Sequence, residues 1–409
     1  MNIVLEPGAA ALLDELHRAG FGAYAVGGCV RDSLLGLAPH DWDLCTAACP
    51  GQVMELFGED RCIPTGLQHG TVTVKRDGKL YEITTFRTEG RYSDGRHPDS
   101  VAFVPDLRED LARRDFTINA MAYSAEEGLC DPFGGREDLA RGVVRAVGEP
   151  LRRFGEDALR ILRLYRFAAR FGFSIDEATE AAAKQLASHL DCVSAERIEE
   201  ELNKLLAAPQ PGAYLEPEVL AFVLPELPPE ELTKARRRID TLPAGTEQVS
   251  ARWAALLLPL GETGARKALK RLKSSNARID GAAALVRECG EKTPDTLDKC
   301  DLCLQAKRLL GKYDLHTVQQ LTALWTALAP EEKASFDALR AEAEALTAQG
   351  ACCRISQLAV NGRDLMAAGA APGPGLRRAL EALLEEVITG RLPNEKTELL
   401  AFAAGFSAS

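Results

Sequence analysis

Several features are scarce in this 409-residue chain, and each scarcity excludes something. Its longest apolar run, Trp253 to Leu260, is broken by Pro259 and falls far short of the roughly 20 residues a membrane span needs. Glu6, Asp14 and Glu15 interrupt the first apolar residues, so no signal peptide is expected, and the expected compartment is the cytoplasm. Histidine occurs six times and is nowhere grouped at metal-ligand spacing. Eleven cysteines in so long a chain are not a small disulfide scaffold. Cys300 and Cys303 make one CxxC, but no second CxxC or His pair completes a zinc site. Positive charge is in deficit, with 49 Lys and Arg against 60 Asp and Glu, a net charge of −11. That balance argues against a DNA-coating role but leaves local basic surfaces open. No internal repeat is apparent.

What is present is ordinary for a globular protein: 46% apolar and 27% charged residues, enough chain for two to four domains. Residues 1–140 alternate short helical and strand patterns. Pro7 to Ala19 reads as an amphipathic helix, Ala23 to Val26 as a buried strand, Val30 to Leu35 as a helix, and Asp41 to Leu44 as a strand. Thr71 to Lys75 and Tyr81 to Phe86 alternate at period two around Asp77-Gly78, which predicts a hairpin, and Ser100 to Val104 is a further strand. Beyond residue 150 the strand signal ends. Helical periods rich in Ala, Leu and Glu then run to the C-terminus, punctuated by Pro and Gly.

Two constellations in the first part carry chemistry. Gly27-Gly28 follows the first strand and opens Cys29-Val30-Arg31-Asp32, a glycine pair of the kind that lets backbone N–H groups approach a phosphate. Asp41 and Asp43 stand two apart on an expected strand, so both carboxylates share a face. Two crowded carboxylates suit Mg²⁺, which takes one or two protein carboxylates together with substrate phosphates.

Gly-Gly-x-Val-Arg-Asp followed by Asp-x-Asp resembles the signature of the class II tRNA nucleotidyltransferase and bacterial poly(A) polymerase family. Further matches come in the family's order: Thr65 to Val74, Tyr81 to Arg87 with Tyr92 to Pro98 behind it, Arg113-Arg114-Asp115-Phe116, Asp131-Pro132-Phe133-Gly134-Gly135, and Glu156-Asp157-x-x-Arg160-x-x-Arg163-x-x-Arg166. The resemblance implies an α+β nucleotidyltransferase head with a polymerase-beta-like sheet, followed by an all-α neck, body and tail. The implied division is head 1–140, neck 141–210, body 211–325 and tail 326–409. It implies template-independent addition of C, C and A to the 3′ end of tRNA from CTP and ATP, with Mg²⁺ held by the catalytic Asp41 and Asp43. The implied nucleotide-binding residues are Gly28, Arg31, Arg114, Asp157, Arg160, Arg163 and Arg166. Tyr92 to Pro98 resembles a loop that takes part in switching from C to A. Neither a membrane nor DNA is an expected partner.

The segment from Glu156 to Arg170 also carries a chemical logic of its own. Ala158, Ile161, Leu162, Tyr165, Ala168 and Ala169 form an apolar helical face, and Asp157, Arg160, Arg163 and Arg166 recur every third residue beside it. A carboxylate beside a guanidinium offers an acceptor next to donors. Asp157 would accept from cytosine N4 or adenine N6, and Arg160 would donate to cytosine N3 and O2 or adenine N1. Uracil and guanine would leave polar groups unpaired, at about 1–3 kcal/mol for each. The same row also reads as a solvated charged face with an Asp157–Arg160 pair worth a few tenths of a kcal/mol. Glu82 is open to two readings, a third carboxylate near the metals or a strand-end residue. Gly264 to Ile279 carries Arg266, Lys267, Lys270, Arg271, Lys273 and Arg278 without an acid, which suits an RNA backbone. Arg136 to Arg170 is a second local excess of arginine. A poly(A) polymerase, an enzyme adding only A or only the two Cs, and a silent RNA-binding scaffold are the alternative functions.

Overall fold

A computed structural model of the protein describes residues 3–90, 100–291 and 302–406. Tyr92 to Pro98 and Cys300 lie outside the described residues. The chain packs as two compact units. The first comprises Met1–Pro229 with Ala244–Thr246 and Arg271–Lys273, and the second Glu230–Pro243, Glu247–Lys270 and Ser274–Ser409.

The first unit opens with helix α1 (Pro7–Arg18), whose start follows from Pro7 at its first turn and from Glu6, which accepts from the Ala9 N–H at 3.1 Å. Strand β1 (Ala23–Val26) is buried along its whole length, as its unbroken apolar run requires. Helix α2 (Gly28–Leu34), strand β2 (Leu44–Thr46), helix α3 (Pro50–Phe57) and strand β3 (Cys62–Gly66) follow. The expected hairpin is β4 (Thr71–Arg76) with β5 (Lys79–Thr85). Its turn residues Asp77 and Gly78 both take positive φ, 50° and 76°, as a type I′ turn demands. A separate ribbon pairs β6 (Arg87–Glu89) with β7 (Val101–Phe103). Helix α4 (Leu107–Ala112), strands β8 (Ala122–Ser124) and β9 (Gly128–Cys130) and helix α5 (Gly135–Arg141) complete the head region.

The seven-stranded sheet has the order β3-β4-β5-β2-β1-β8-β9. All its pairings are antiparallel except β2 with β5, which places β2 parallel to the second strand of the hairpin. The expected strand at Asp41 to Leu44 is displaced. Strand β2 starts at Leu44, and Asp41 to Asp43 lead into it as an extended segment, with the Asp43 carbonyl accepting from Val26 N–H at 3.0 Å. Tyr24, Val26, Cys45, Phe86, Leu111 and Ala122 form the core under this sheet. Full burial of the Phe86 ring contributes about 1.5–3 kcal/mol.

After α5 the first unit is helical apart from a two-residue parallel pairing of β10 (Val143–Val144) with β11 (Ser174–Ile175). Its helices are α6 (Pro150–Glu156), α7 (Leu159–Phe171), α8 (Glu177–Gln185), α9 (Ala195–Leu206) and α10 (Pro217–Val223). Helix α7 packs on α9. The apolar face expected of α7 is buried, but so are Arg160 and Arg166, so this helix is enclosed on more than one side. The break between α6 and α7 removes Asp157 from the helical row. It stands in extended geometry, φ −143° and ψ 105°.

The second unit contains no strand among its described residues. Its helices are α11 (Pro229–Thr241), α12 (Val249–Leu257), α13 (Gly261–Arg271), α14 (Asn276–Glu291), α15 (Leu302–Lys312), α16 (Leu315–Leu328), α17 (Lys333–Ala348), α18 (Gly362–Ala367), α19 (Pro374–Ile388) and α20 (Lys396–Phe406). Trp253, Leu321, Leu324 and Phe336 are buried in it, and Val360, Leu365, Leu383 and Leu399 make a further cluster. No helix among the described residues is long and apolar enough to cross a membrane.

Candidate active site

The first unit holds a cavity of about 560 Å³ lined by residues of β3 to β6, the Arg113-Arg114-Asp115 stretch, α7 and α9. Glu82, Arg114, Asp157, Arg160 and Arg163 all face it, and with Thr65 to Thr71 and Arg197 the lining draws on five stretches of sequence. Six arginines and four acids line it.

Asp157 caps the gap between α6 and α7. Its Oδ1 accepts from the Leu159 N–H at 3.0 Å, and its Oδ2 accepts from Arg197 Nη2 at 2.8 Å. The pairing of Asp157 with Arg160 that the spacing allows is not made. Arg160 Nη1 instead donates to Glu156 Oε2 at 2.8 Å and to the Arg153 carbonyl at 3.0 Å, and its Nη2 donates to the Arg113 carbonyl at 3.2 Å. Three of the five N–H bonds of Arg160 are thereby committed, which leaves Nε and one hydrogen of Nη2. Arg153 Nη1 joins the same Glu156 oxygen at 2.7 Å.

Asp115 is the buried hub beside them. Its Oδ2 accepts from Arg163 Nε at 2.8 Å and Nη2 at 2.6 Å, while its Oδ1 accepts from the Phe116 N–H at 2.8 Å and Asn119 Nδ2 at 3.0 Å. Burial pushes its carboxyl up, but Arg163, Asn119 and Arg160 outweigh that and hold it well below the usual carboxylate range. Burial alone would lower the Arg163 guanidinium. Asp115 and Glu201 more than reverse this and raise it.

Two of the expected nucleotide-binding arginines do not reach the cavity. Arg31 is 3% exposed, donates from Nε to Asp32 Oδ1 at 2.8 Å, bonds Asn119 Oδ1, and lies over the rings of Phe167 and Phe171. Arg166 is 7% exposed, bonds Glu201 Oε2 and stacks 3.9 Å from the centroid of Phe167. In this structure Arg31 ties α2 to α7, and Arg166 ties α7 to α9. The two glycines of the pair differ in their surroundings. A Cβ on Gly28 would meet only Arg31 Nη2, at 3.6 Å, and α2 has just seven residues. Gly27 is the constrained one: its φ is +78°, and a Cβ there would lie 2.8 Å from Arg114 Nη1. Only glycine lets that guanidinium pack against the strand end.

Asp41 and Asp43 do not line the cavity, but Asp43 is coupled electrostatically to Arg114 and Glu82, which do. The Asp41 side chain is 91% exposed. Asp43 is an exposed residue, yet partial desolvation by the surrounding protein raises its carboxyl, opposed by Arg114 and reinforced by Glu82 and Asp41. That mutual repulsion, within a set of hard oxygen donors, fits a divalent cation. No three His, Cys, Asp or Glu side chains converge at ligand distance among the described residues, so the protein would offer one or two carboxylates and leave the remaining positions to phosphate and water. The nucleotidyltransferases that the sequence resembles generally use divalent metals.

The basic stretch of the second half is partly neutralised. Arg266 pairs with Glu262 and Asp280, Arg271 makes a two-pronged pair with Glu226, and Lys273 meets Glu196 at 2.6 Å. Lys267 and Lys270 stay exposed. The stretch is also not one helix: α13 ends at Arg271, and Lys273 takes φ 57° before α14.

Several residues of the site carry no distinguishing mark in the sequence. Asp115 stands within Arg113-Arg114-Asp115-Phe116, but nothing there singles it out as a hub. Arg197 and Glu201 sit on an acidic amphipathic helix, where nothing separates them from solvated charges. Glu156 is visible only as the residue before Asp157.

Fold and site together define a nucleotidyltransferase of the polymerase A type. The family model described as the Poly A polymerase head domain matches residues 23–145, that of tRNA nucleotidyltransferase domain 2 matches 245–403, and that of the probable RNA- and SrmB-binding site of polymerase A matches 172–228. The CCA-adding enzyme of Latilactobacillus sakei is 40% identical over 402 residues, 96% of each chain. That of Limosilactobacillus fermentum is 38% identical over 408 residues, covering 96% of this chain and 95% of the relative. The crystal structure of the Bacillus stearothermophilus CCA-adding enzyme in complex with CTP matches with a TM-score of 0.80 at 33% identity, over 99% of this chain and 98% of that one. This chain belongs to the family of CCA-adding enzymes.

Proposed function

We propose that the protein adds C, C and A to the 3′ end of tRNA from CTP and ATP, releasing pyrophosphate. One observation carries this reading: a single cavity holds an acceptor, Asp157, and a donor edge, Arg160, side by side with the cationic groups a triphosphate requires. Whole-length similarity to CCA-adding enzymes, one of them solved with CTP, supports it.

Each residue then has a task. Asp157 accepts from the exocyclic amine of cytosine or adenine, and the free edge of Arg160 donates to the ring nitrogen beside it. Uracil and guanine present a carbonyl to the carboxylate and are refused. Arg163 and Arg114, at the cavity wall, take the triphosphate charge, and Gly27 gives Arg114 its room. Arg31 and Arg166 act at one remove, by holding α2 and α9 against α7; Gly28 closes the turn that starts α2. The tRNA 3′-hydroxyl oxygen bonds to the α-phosphorus as the bond to the pyrophosphate oxygen breaks, and the hydroxyl proton leaves to solvent. No covalent link to the protein is needed.

Asp41 and Asp43 would hold Mg²⁺, with Glu82 the nearest further carboxylate. When bound, such an ion favours the ionised hydroxyl and offsets phosphate charge. We assign nucleotidyl transfer to residues 1–140 and nucleotide selection to 141–210. Contact with the RNA backbone falls to 211–325 and 326–409, though α16 runs through the boundary between these last two. A tRNA substrate suits the cytoplasm.

The test uses the purified protein, Mg²⁺ and a tRNA transcript ending at its discriminator base, with each labelled nucleotide supplied alone and together. Two Cs and then one A, on tRNA and not on an unstructured RNA, is the expected result. Long A tails on either RNA would overturn it in favour of a poly(A) polymerase.

A further inference from the structure

We infer that Arg197 is a positioning residue for nucleotide selection: it is the counter-ion that stops Asp157 from collapsing onto Arg160. The inference rests on the selecting role proposed above for that pair, and it begins from a difficulty in that role. A carboxylate and a guanidinium three residues apart, in a cavity of limited water, attract each other strongly. If they paired, the acceptor and the donors meant for a base would be spent on one another.

The structure shows how this is avoided. The Arg160 N–H donates to the Asp157 carbonyl at 3.0 Å, but their side chains make no ion pair, because each has its own partner of opposite charge. Arg197 Nη2 takes Asp157 Oδ2 at 2.8 Å, and Glu156 Oε2 takes Arg160 Nη1 at 2.8 Å. The four charges therefore run Arg197, Asp157, Arg160, Glu156, with the reading pair in the middle and unpaired across it.

The two clamps differ in how firmly they are tied. Glu156 is the last residue of α6 and also binds Arg153, so its place is set by local chain. Arg197 comes from α9, 40 residues further on, and its Nη1 is buried without a hydrogen-bond partner. A buried orphan donor is unfavourable. It is tolerated here alongside the ion pair to Asp157, which is the acceptor that the guanidinium does reach. Asp157 sits outside any helix, so its carboxylate direction depends on the Leu159 N–H and on Arg197 alone. The side chains of Asp157 and Arg197 are 15% and 20% exposed, and both line the cavity.

The experiment measures kcat/KM for CTP, ATP and UTP on truncated tRNA with the full-length protein. The variants are Arg197→Met, Arg197→Lys, Asp157→Ala and the double variant Asp157→Ala/Arg197→Met, with thermal unfolding run on each. Arg197→Met should lower the preference for CTP over UTP roughly tenfold, the scale of one lost charge-assisted contact. Arg197→Lys, which keeps the charge and a donor, should recover most of that preference, and it answers the question if the Met variant fails to fold. In the Asp157→Ala background, Arg197→Met should change the preference no further, because the group it positions is gone. An Arg197→Met protein that selects like the wild type while Asp157→Ala does not would overturn the inference and leave the selecting pair standing. An equal added loss in the double variant would overturn it too, since Arg197 would then act independently of Asp157. Wild-type selectivity in Asp157→Ala itself would remove the selecting pair and the inference with it.

Discussion

Asp115→Asn is the sharpest test of the network that supports the cavity. The substitution keeps the shape of the side chain and removes its charge. The amide oxygen can still accept from the Phe116 N–H and Asn119, but its NH₂ then faces Arg163, a donor against donors. Removing one member of a buried ion pair costs about 3–5 kcal/mol. The Arg163 side chain is 34% exposed, so water recovers part of that and roughly 2–3 kcal/mol remains. For a folding unit of this size, about 2–4 °C in Tm accompanies each kcal/mol, so the first unfolding transition should fall by roughly 4–12 °C at pH 7. The pH dependence gives a second reading. The Asp115 carboxyl is held below its ordinary value, so its contribution is fully present above pH ~4 and is lost as pH falls through the lower folded value. The gap between wild type and variant should therefore narrow in acid. Calorimetry of the full chain at pH 7 and pH 3 measures both quantities. A variant melting within 1 or 2 °C of wild type at pH 7, or a gap that widens at pH 3, would refute the argument.

Four further outcomes follow from the same geometry. Asp43→Ala should abolish addition of both nucleotides while tRNA binding in a filter or gel-shift assay stays near wild type; lost binding would make the residue structural. Gly27→Ala should cost about 1–3 kcal/mol through its positive φ and the clash with Arg114, with KM raised for CTP and ATP alike, which steady-state kinetics and a thermal melt together would report. Burial pushes the Glu6 carboxyl up, but Tyr81, Lys79 and the Ala9 N–H bring it down to about 2, so the wild type should lose stability as pH drops from 4.5 toward 2, and urea melts of Glu6→Gln should show a flatter acid limb. Lys267→Ala and Lys270→Ala should each reduce the slope of log affinity for tRNA against log salt by roughly 0.7–0.9, since these are exposed cations of the basic stretch.

Local chemistry explains which parts of the fold could be read in advance. β1 is apolar at every position because both its faces are covered, and Asp77-Gly78 specifies a turn that only such residues adopt easily. Helix α1 is marked by Pro7 and its periodic leucines. The misplaced strand at Asp41 shows the limit of such reading. Alternation along Asp41-Trp42-Asp43 resembles a strand, yet pairing with β1 begins only at Leu44, where both neighbours are present. The site is legible in its residue types and much less so in its pairings. Spacing suggests an Asp157–Arg160 pair, but the partner of Asp157 comes from α9 and that of Arg160 from the end of α6. Long-range partners of this kind leave no periodicity. Arg31 and Arg166 illustrate the converse: both are buried against Phe167, and that packing is invisible until the helices are placed.

The charge of the whole chain and the charge of the cavity point in opposite directions. A protein of net −11 lines this one space with six arginines and four acids. The excess is small, and most of the arginines already have an acidic partner, so raw positive potential is not what the site offers a triphosphate. It offers direction. Arg160 has three donors committed to Glu156 and two backbone carbonyls, and the side chain lines the cavity with two donors left over. Arg163 is pinned by two bonds to a buried aspartate rather than left to sample solvent. Donors fixed in advance cost no ordering entropy when the nucleotide arrives, and a base that mismatches them cannot be accommodated by their moving aside. Selectivity between cytosine and uracil, which differ chiefly in the exchange of an amine and a protonation site for a carbonyl and an N–H, requires that stiffness. On the proposed reading, a flexible Asp–Arg pair of the same composition would discriminate less among the bases, and the surrounding ion pairs would be what holds it in place.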